Sequence, residues 1–336
     1  MSSKRIPSLD GLRALAIGLV LVEHSGCTWL PHAGTFGVQL FFVISGYLIT
    51  RLLLEEREKH GRINLRAFYL RRCFRIFPAA FAYIAVVSAF SPSARRDIVW
   101  AVTYLMSYCQ HPSIFVAHLW SLSVEEQFYL LWPLALVLCF SRRASVVWGA
   151  VAVAAVARLA GAALWPGESW LLYRCFPCVA DSLAAGCLLA ICEKQLARRW
   201  HPGKASAALL PVAAYCTALV LWGHESSVIA WGLIPMLLAG FVYAAVRCAP
   251  RVLNNRAAYA VGALSYSLYL WQQPFVIGPR VPAYLTFFFL VVSSGASYLL
   301  VEQPMIALGR RLAAPDKQRV KDGARHPSHL PLTASV

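Results

Sequence analysis

The sequence predicts an all-α membrane protein with about ten transmembrane helices and one short interfacial or re-entrant helix. The chain is 59% hydrophobic and only 14% charged, whereas a soluble domain carries about 25% charged residues. Its mean hydropathy is +0.58. Apolar runs of about 20 residues, the length that crosses a bilayer, recur between short basic clusters. The lipid bilayer is therefore an expected partner.

The predicted transmembrane spans are the long apolar runs, taken in chain order. They are Leu9–Trp29, Phe36–Leu54, Ile76–Phe90, Leu119–Phe140, Ser145–Trp165, Phe176–Ile191, Ala207–Gly223, Val228–Val246, Ala258–Val276 and Ala283–Leu308. The run Ile98–Tyr108 is too short to cross unaided. We therefore expect this run to form the interfacial or re-entrant helix.

The basic residues predict the orientation of the spans. Clusters of Lys and Arg between spans favour the cytoplasmic side, and with ten spans both termini lie in the cytoplasm. Arg95 and Arg96 are the exception, because this topology places them outside. We assign residues 1–311 to the transmembrane domain and residues 312–336 to a disordered, basic cytoplasmic tail. The net charge of +16 is spread over such loops, which argues against nucleic acid as a partner.

The first span carries ionisable residues that are costly in lipid and usually face a cavity or a partner. Arg13 and His24 are 11 residues apart, which places them about 20° apart around the helix and about 16 Å apart along it. Asp10 lies on the same side. One interpretation is a functional stripe, and the other is an Asp10–Arg13 pair at the headgroups with His24 at the far end of the helix.

Later segments carry further candidates, each with a structural alternative. Ser45 precedes Gly46, a pair that also suits close helix packing. Arg72 and Arg75 suit a phosphate clamp or positive-inside topology. For the adjacent Glu125 and Glu126, the alternative is an interfacial pair at a helix start.

Near the sixth span, the sequence leaves two interpretations open. Arg174 and Asp181 are seven residues apart, so either an ion pair or a site role fits them. Tyr269 lies at the outer end of the ninth span and serves packing or the site. Cys175 and Cys178 have no second pair nearby, so no metal site is predicted.

Together these segments resemble the acyltransferase 3 family of integral membrane acyltransferases, over about residues 8–304. The motifs that carry the resemblance are Ser8-Leu-Asp-Gly-Leu-Arg-Ala14, the Arg13-x10-His24 pair, Phe41-Phe-x-x-Ser-Gly46, Arg72-x-x-Arg75 and Trp120-Ser-Leu-Ser-Val-Glu-Glu-Gln-Phe-Tyr129. One departure is Gln272, where relatives often have His. No hydrolase-like extension follows the last span, so any periplasmic helper domain is expected to be a separate protein.

The resemblance implies transfer of an acyl group, with acetyl favoured, from a cytoplasmic acyl-CoA to a hydroxyl of a cell-surface glycan or a small molecule. The expected location is a bacterial inner membrane, and no bound cofactor is expected. Within this picture His24, Glu125 and Arg13 are the catalytic candidates. His24 serves as general base, and Glu125 orients it or shares its proton.

The resemblance also implies a donor site. Arg72 and Arg75, with Arg13, hold the donor's phosphates, and Ser45 lines the passage. Arg174 stabilises charge on the thioester oxygen. Asp10, Glu126 and Tyr269 are further candidates for the site.

The sequence leaves three alternatives open. In a variant of the mechanism, His24 itself carries the acyl group transiently. In the other two, the chain is a transporter or flippase for a glycan intermediate, with ionisable residues lining its path, or an inactive membrane partner.

Overall fold

The computed structural model describes residues 6–165, 168–203, 206, 209–215, 228–276 and 282–314, and every regular element in these ranges is helical. The α-helices in chain order are α1 Pro7–His24, α2 Ala33–His60, α3 Leu65–Phe90, α4 Pro92–Arg96, α5 Ile98–Val102, α6 Ile114–Ala117, α7 Leu119–Leu138, α8 Arg143–Leu164, α9 Ser169–Arg174, α10 Phe176–Arg199, α11 residues 209–215, α12 Val228–Cys248, α13 Arg256–Val276, α14 Ala283–Ala296 and α15 Gln303–Ala313.

Five helical segments within the described ranges are long and apolar enough to cross a membrane. They are Ala33–His60, Leu65–Phe90, Phe140–Leu164, Leu172–Arg199 and Tyr284–Ala313. The predicted all-α membrane protein is thereby confirmed, while the count of ten spans stays a prediction. Most of the predicted span Ala207–Gly223, the loop residue Arg280 and the tail from residue 315 lie outside the described residues.

The short apolar run Ile98–Tyr108 is broken rather than continuous. It forms the five-residue α5 and a 3-10 turn, Met106–Tyr108. At 1.5 Å per helical residue, neither piece can cross a bilayer, which agrees with its exclusion from the spans.

The two arginines that violate the charge rule are held locally. Arg95 donates hydrogen bonds to the carbonyls of Ser88 and Ala89, near the end of α3. Arg96 pairs with Asp97 at 2.9 Å. Burial opposes ionisation of Asp97, but hydrogen bonds from Arg96 and from the Ser113 N–H outweigh it and lower the pKa of this carboxyl. These contacts give both arginines a structural role.

The last predicted span differs from a single regular helix. A π-helical turn, Ser297–Glu302, interrupts it between α14 and α15. Glu302 lies in this turn, is 2% exposed and accepts a hydrogen bond of 2.9 Å from the Ser267 hydroxyl. The interruption therefore coincides with a buried, hydrogen-bonded carboxylate.

Helices α1, α2, α10 and α13 form the core of the bundle, with α1 packed on α2 and α13, and α10 packed on α2. Glycines permit the closest approach. A Cβ atom at Gly46 would lie 2.0 Å from the Leu183 carbonyl oxygen, and one at Gly186 would lie 2.1 Å from that of Val43. Gly46 therefore serves close helix packing, which was the structural alternative for the Ser45-Gly46 pair.

Candidate active site

A cavity rich in arginine lies between α1, α2, α3, α7 and α13, and we call it the arginine cavity. Its empty volume is about 690 Å³. Its lining residues are Arg13, Val38, Phe41, Phe42, Ser45, Arg72, Arg75, Ile76, Ser121, Leu122, Glu125, Tyr129, Ser265, Tyr266 and Tyr269. It therefore collects the charged and polar motif residues of four separate helices.

The three arginines of this cavity come from two helices. Arg13 lies on α1, and Arg72 and Arg75 lie one turn apart on α3, whose start is capped by Asn64, which accepts a hydrogen bond of 3.0 Å from the Ala67 N–H. None of the three guanidinium groups has a carboxylate within 4 Å among the described residues. Unpaired cations enclosed by protein favour an anionic ligand.

Glu125 lies at the end of a short chain of hydrogen bonds. The Ser45 hydroxyl donates to Glu125 Oε1 at 2.5 Å, and the Tyr129 hydroxyl donates to Ser45 Oγ at 3.2 Å. The Arg72 guanidinium lies over the Tyr129 ring, 4.8 Å from its centre. These contacts fix the Glu125 carboxylate in the wall of the arginine cavity.

A second cavity adjoins the first, and we call it the histidine cavity. Its empty volume is about 500 Å³. Its lining residues are Val20, Glu23, His24, Gly34, Thr35, Val38, Ala117, His118, Trp120, Arg174, Tyr269 and Gln273. Val38 and Tyr269 line both cavities, so these two side chains form the partition between them.

The helical stripe on α1 has the predicted geometry. Arg13 lines the arginine cavity and His24 lines the histidine cavity, so both side chains face the protein interior. Arg13 and His24, 11 residues apart on α1, thus lie on opposite sides of the partition made by Val38 and Tyr269. Among the described residues, no salt bridge within 4 Å joins Asp10 to Arg13, so the ion-pair alternative is not borne out.

The expected pairing of His24 with Glu125 is not formed in the described structure. His24 Nδ1 lies 2.9 Å from Oε1 of Gln272, and Glu125 is bound by Ser45. The two expected partners line different cavities, separated by Val38 and Tyr269. Gln272, at the position where the resemblance implies His, has a fully buried side chain.

Tyr269 is held firmly in the partition. Its hydroxyl donates to the His118 carbonyl at 2.8 Å, and Ser121 Oγ lies 2.6 Å away. A fully hydrogen-bonded hydroxyl keeps the ring in one place. Tyr269 therefore shapes the connection between the cavities.

The hypothesis of an Arg174–Asp181 ion pair is wrong. Asp181 pairs instead with Arg158 of α8 at 2.5 Å, and both side chains are 5% exposed. Arg174 lines the histidine cavity and has no hydrogen-bond or ion-pair partner among the described residues. The site interpretation of Arg174 agrees with this position.

The remaining candidates lie away from the cavities. The Asp10 carbonyl lies where α1 crosses α13, 2.0 Å from a Cβ built at Gly262. Glu126 has a buried Oε1 without a hydrogen-bond partner among the described residues. Neither Asp10 nor Glu126 lines the arginine or the histidine cavity.

Sequence reasoning assigned no role to several site residues. His118 precedes the motif at the start of α7, and Gln273 is 5% exposed on α13. The available signal was the pair of adjacent amides, Gln272 and Gln273, within an apolar span, where polar side chains usually serve function.

Comparison with known proteins decides the family. The family model Acyl_transf_3, described as an acyltransferase domain, matches residues 6–301. The chain belongs to the acyltransferase 3 family. The resemblance predicted from the motifs is thereby confirmed, and the acyltransferase 3 motifs line both cavities. No solved structure shows significant similarity to the chain.

Relatives of this acyltransferase 3 chain carry acetyltransferase names. A Staphylococcus aureus (strain COL) protein provisionally named an O-acetyltransferase is 27% identical over 345 aligned residues, which cover 89% of this chain and 57% of that protein. O-acetyltransferase OatA of Staphylococcus aureus (strain NCTC 8325 / PS 47) is 27% identical over 348 aligned residues, with 90% and 58% covered. The chain thus spans little more than half the length of these relatives.

Proposed function

We propose that the chain is a membrane O-acetyltransferase that moves an acetyl group from acetyl-CoA to a hydroxyl of a cell-surface glycan or a related acceptor. One observation carries the proposal: a cavity with three unpaired guanidinium groups shares a wall with a cavity that contains His24. The family membership and the names of the relatives support the reaction class.

The arginine cavity is the proposed donor site. CoA carries several phosphate groups, and Arg13, Arg72 and Arg75 present planar guanidinium donors, none of which has a carboxylate within 4 Å among the described residues. Glu125, held by Ser45, leaves the wall with a net positive charge, which suits an anionic donor. The thioester arm then extends past Tyr269 toward His24.

In the proposed chemical step, the acetyl group moves from the thioester sulfur to the acceptor oxygen, and His24 transfers the proton. The acceptor oxygen forms a C–O bond to the acetyl carbon while the C–S bond of the thioester breaks. His24 Nε2 takes the hydroxyl proton as general base and returns a proton to the departing thiolate. The Arg174 guanidinium faces the same cavity and stabilises the negative charge on the carbonyl oxygen.

The topology that accompanies this function has ten spans in a bacterial inner membrane with both termini in the cytoplasm. The basic loops between spans support it. Acetyl-CoA is a cytoplasmic metabolite, so the donor enters from the side of Arg72 and Arg75.

The test uses the full chain in lipid nanodiscs with radiolabelled acetyl-CoA. We expect acetyl-CoA turnover by the wild type and loss of it in His24→Ala. His111→Ala is the matched control, because His111 is exposed and lines neither cavity. Movement of unmodified glycan without acetyl turnover would instead favour a transporter or flippase.

Direct transfer and an acyl-histidine shuttle make different kinetic predictions. A shuttle gives ping-pong kinetics and a trappable acetyl group on His24, whereas direct transfer requires a ternary complex. The hydrogen bond between Gln272 and His24 Nδ1 leaves Nε2 available in either case.

A further inference from the structure

The proposed base, His24, is the last residue of α1. Helix ends open most easily, because their last backbone groups lack partners within the helix. Residues 25–32, which follow it, form turns without a helix, and Trp29 among them is 90% exposed. A side chain that must keep its place at such a position needs an anchor beyond its own helix.

The close crossing of α1 and α2 does not supply this anchor. A Cβ atom at Gly37 would lie 2.5 Å from the Ala16 carbonyl oxygen, so the two backbones meet there. Ala16 lies two turns before His24, about 12 Å away along the helix. The crossing therefore holds the middle of α1 and leaves its last turn to other contacts.

The Glu23 carboxylate joins the last turn of α1 to the first turn of α2. Glu23 Oε2 accepts a hydrogen bond of 2.8 Å from the Gly34 N–H, and Gly34 directly follows Ala33, the first residue of α2. Glu23 is half-buried, and both residues line the histidine cavity. The Glu23–Gly34 bond thus lies in the same wall as His24.

The start of α2 favours such a partner. Its N-cap residue, His32, has a φ of 61° and makes no side-chain cap hydrogen bond within the part of the chain that the structure describes. The first N–H groups of a helix have no partner within the helix, and the helix dipole favours a negative charge beside them. Glu23 supplies both an acceptor and the charge from the neighbouring helix.

Glycine at position 34 permits the close approach. A Cβ atom there would lie 3.1 Å from the carboxyl carbon of Glu23, whereas carbon atoms pack best at about 3.5–4.0 Å. A larger residue would push the carboxylate away from the N–H group. The small residue and the carboxylate therefore fit each other.

We propose that Glu23 is a positioning residue for His24, which it holds in the histidine cavity by fastening the end of α1 to α2. Gln272 fixes the orientation of the imidazole ring through Nδ1, and Glu23 fixes the backbone that carries the ring. This inference rests on the proposed function and adds a residue that acts through His24.

The expected effect falls on catalysis and not on donor binding. A displacement of about 1 Å of a reacting group can lower a rate about 100-fold, so loosening the end of α1 should lower kcat. The three arginines that are proposed to hold acetyl-CoA line the other cavity. The KM for acetyl-CoA should therefore stay unchanged.

The kinetic test compares Glu23→Leu and Glu23→Gln with the wild type, each as the full chain in nanodiscs with acetyl-CoA. Leucine removes the acceptor, and we expect kcat to fall about 10- to 100-fold. Glutamine keeps an amide oxygen that accepts from the Gly34 N–H, in a neutral bond about half as strong, so kcat should stay within about threefold of the wild type. Glu58→Leu is the matched control, because Glu58 is exposed on α2 and lines neither cavity.

Amide hydrogen exchange measures the Glu23–Gly34 bond without any reference to acetyl transfer. A bonded amide exchanges only when its bond opens, so the peptide that contains Gly34 should exchange faster in Glu23→Leu and keep its protection in Glu23→Gln. The rise in thermal unfolding midpoint on addition of CoA should be the same in all variants. This rise shows that a variant is folded and still binds the donor.

Three results would overturn the proposal. The first is unchanged exchange at Gly34 in Glu23→Leu, and the second is faster exchange with the kcat of the wild type, which would make Glu23 a cap of α2 alone. The third is an equal loss of kcat in Glu23→Leu and Glu23→Gln, which would assign the effect to charge and not to the bond. Absence of acetyl-CoA turnover by the wild type would contradict the proposed function, while the exchange measurement would still decide whether Glu23 fastens α1 to α2.

Discussion

The Nδ1 atom of His24, at the end of α1, lies 2.9 Å from Oε1 of Gln272 on α13. An amide oxygen only accepts, so Nδ1 carries the hydrogen and Nε2 holds the lone pair that a general base needs. The Gln272 side chain therefore sets the tautomer of the proposed base.

Removing this hydrogen bond should slow the reaction without weakening substrate binding. We expect Gln272→Leu to lower kcat about 10- to 100-fold, since a hydrogen bond to a group that becomes charged contributes roughly 1.5–3 kcal/mol. Gln272→Glu should move the acid limb of the rate–pH profile to higher pH, because a carboxylate stabilises the imidazolium. Unchanged kcat and an unchanged profile in both variants would show that Gln272 only packs.

Arg72 should recognise the phosphates of the donor rather than its acyl arm. We expect Arg72→Gln to raise the KM for acetyl-CoA about 10- to 100-fold, the loss of one charge-assisted contact, and to leave the KM for acetyl-pantetheine, which lacks the nucleotide, unchanged. Steady-state kinetics with both donors measures this difference.

Arg66→Gln is the control for Arg72, because Arg66 is an exposed arginine on the same helix that lines neither cavity. It removes the same charge from α3. Equal effects of Arg72→Gln and Arg66→Gln would mean that general electrostatics, and not a clamp, governs donor binding.

Val38 should control the passage between the cavities, because it lines both and is 7% exposed. We expect Val38→Trp to lower kcat about 100-fold, since a small displacement of the acetyl group from His24 has effects of that order, with little change in the KM for acetyl-CoA. Val38→Ala keeps the passage open and should retain activity. Full activity of Val38→Trp would exclude transfer across this partition.

Gly46 should be essential for packing of α2 against α10. A Cβ atom there would lie 2.0 Å from the Leu183 carbonyl oxygen, and overpacking costs about 1–3 kcal/mol, occasionally more. We expect Gly46→Ala to lower the thermal unfolding midpoint in detergent by several degrees.

Gly18→Ala is the matched control for Gly46→Ala, because no atom lies within 4 Å of a Cβ at Gly18. This substitution should leave the midpoint unchanged or raise it, because alanine favours helix formation by up to about 1 kcal/mol over glycine. Equal midpoints for the two variants would contradict the close crossing of α2 and α10.

The sequence alone determined that this protein lies in a lipid bilayer and which of its side chains are candidates for the site. Apolar runs of bilayer length predict helices because lipid leaves backbone groups no other partners, and ionisable residues inside those runs must face protein. Both arguments are local in the chain, which is why Arg13, His24 and Glu125 can be named as candidates without a structure.

Only the tertiary structure decided which of these side chains meet. Helical periodicity places Arg13 and His24 on one face of α1, but contacts between helices depend on how the whole bundle packs. The pairs Ser45–Glu125, His24–Gln272 and Arg158–Asp181 join residues 80, 248 and 23 positions apart. No local pattern encodes such separations, so the sequence offers the Glu125–His24 and Arg174–Asp181 pairings only as hypotheses, and the packing of the helices replaces both.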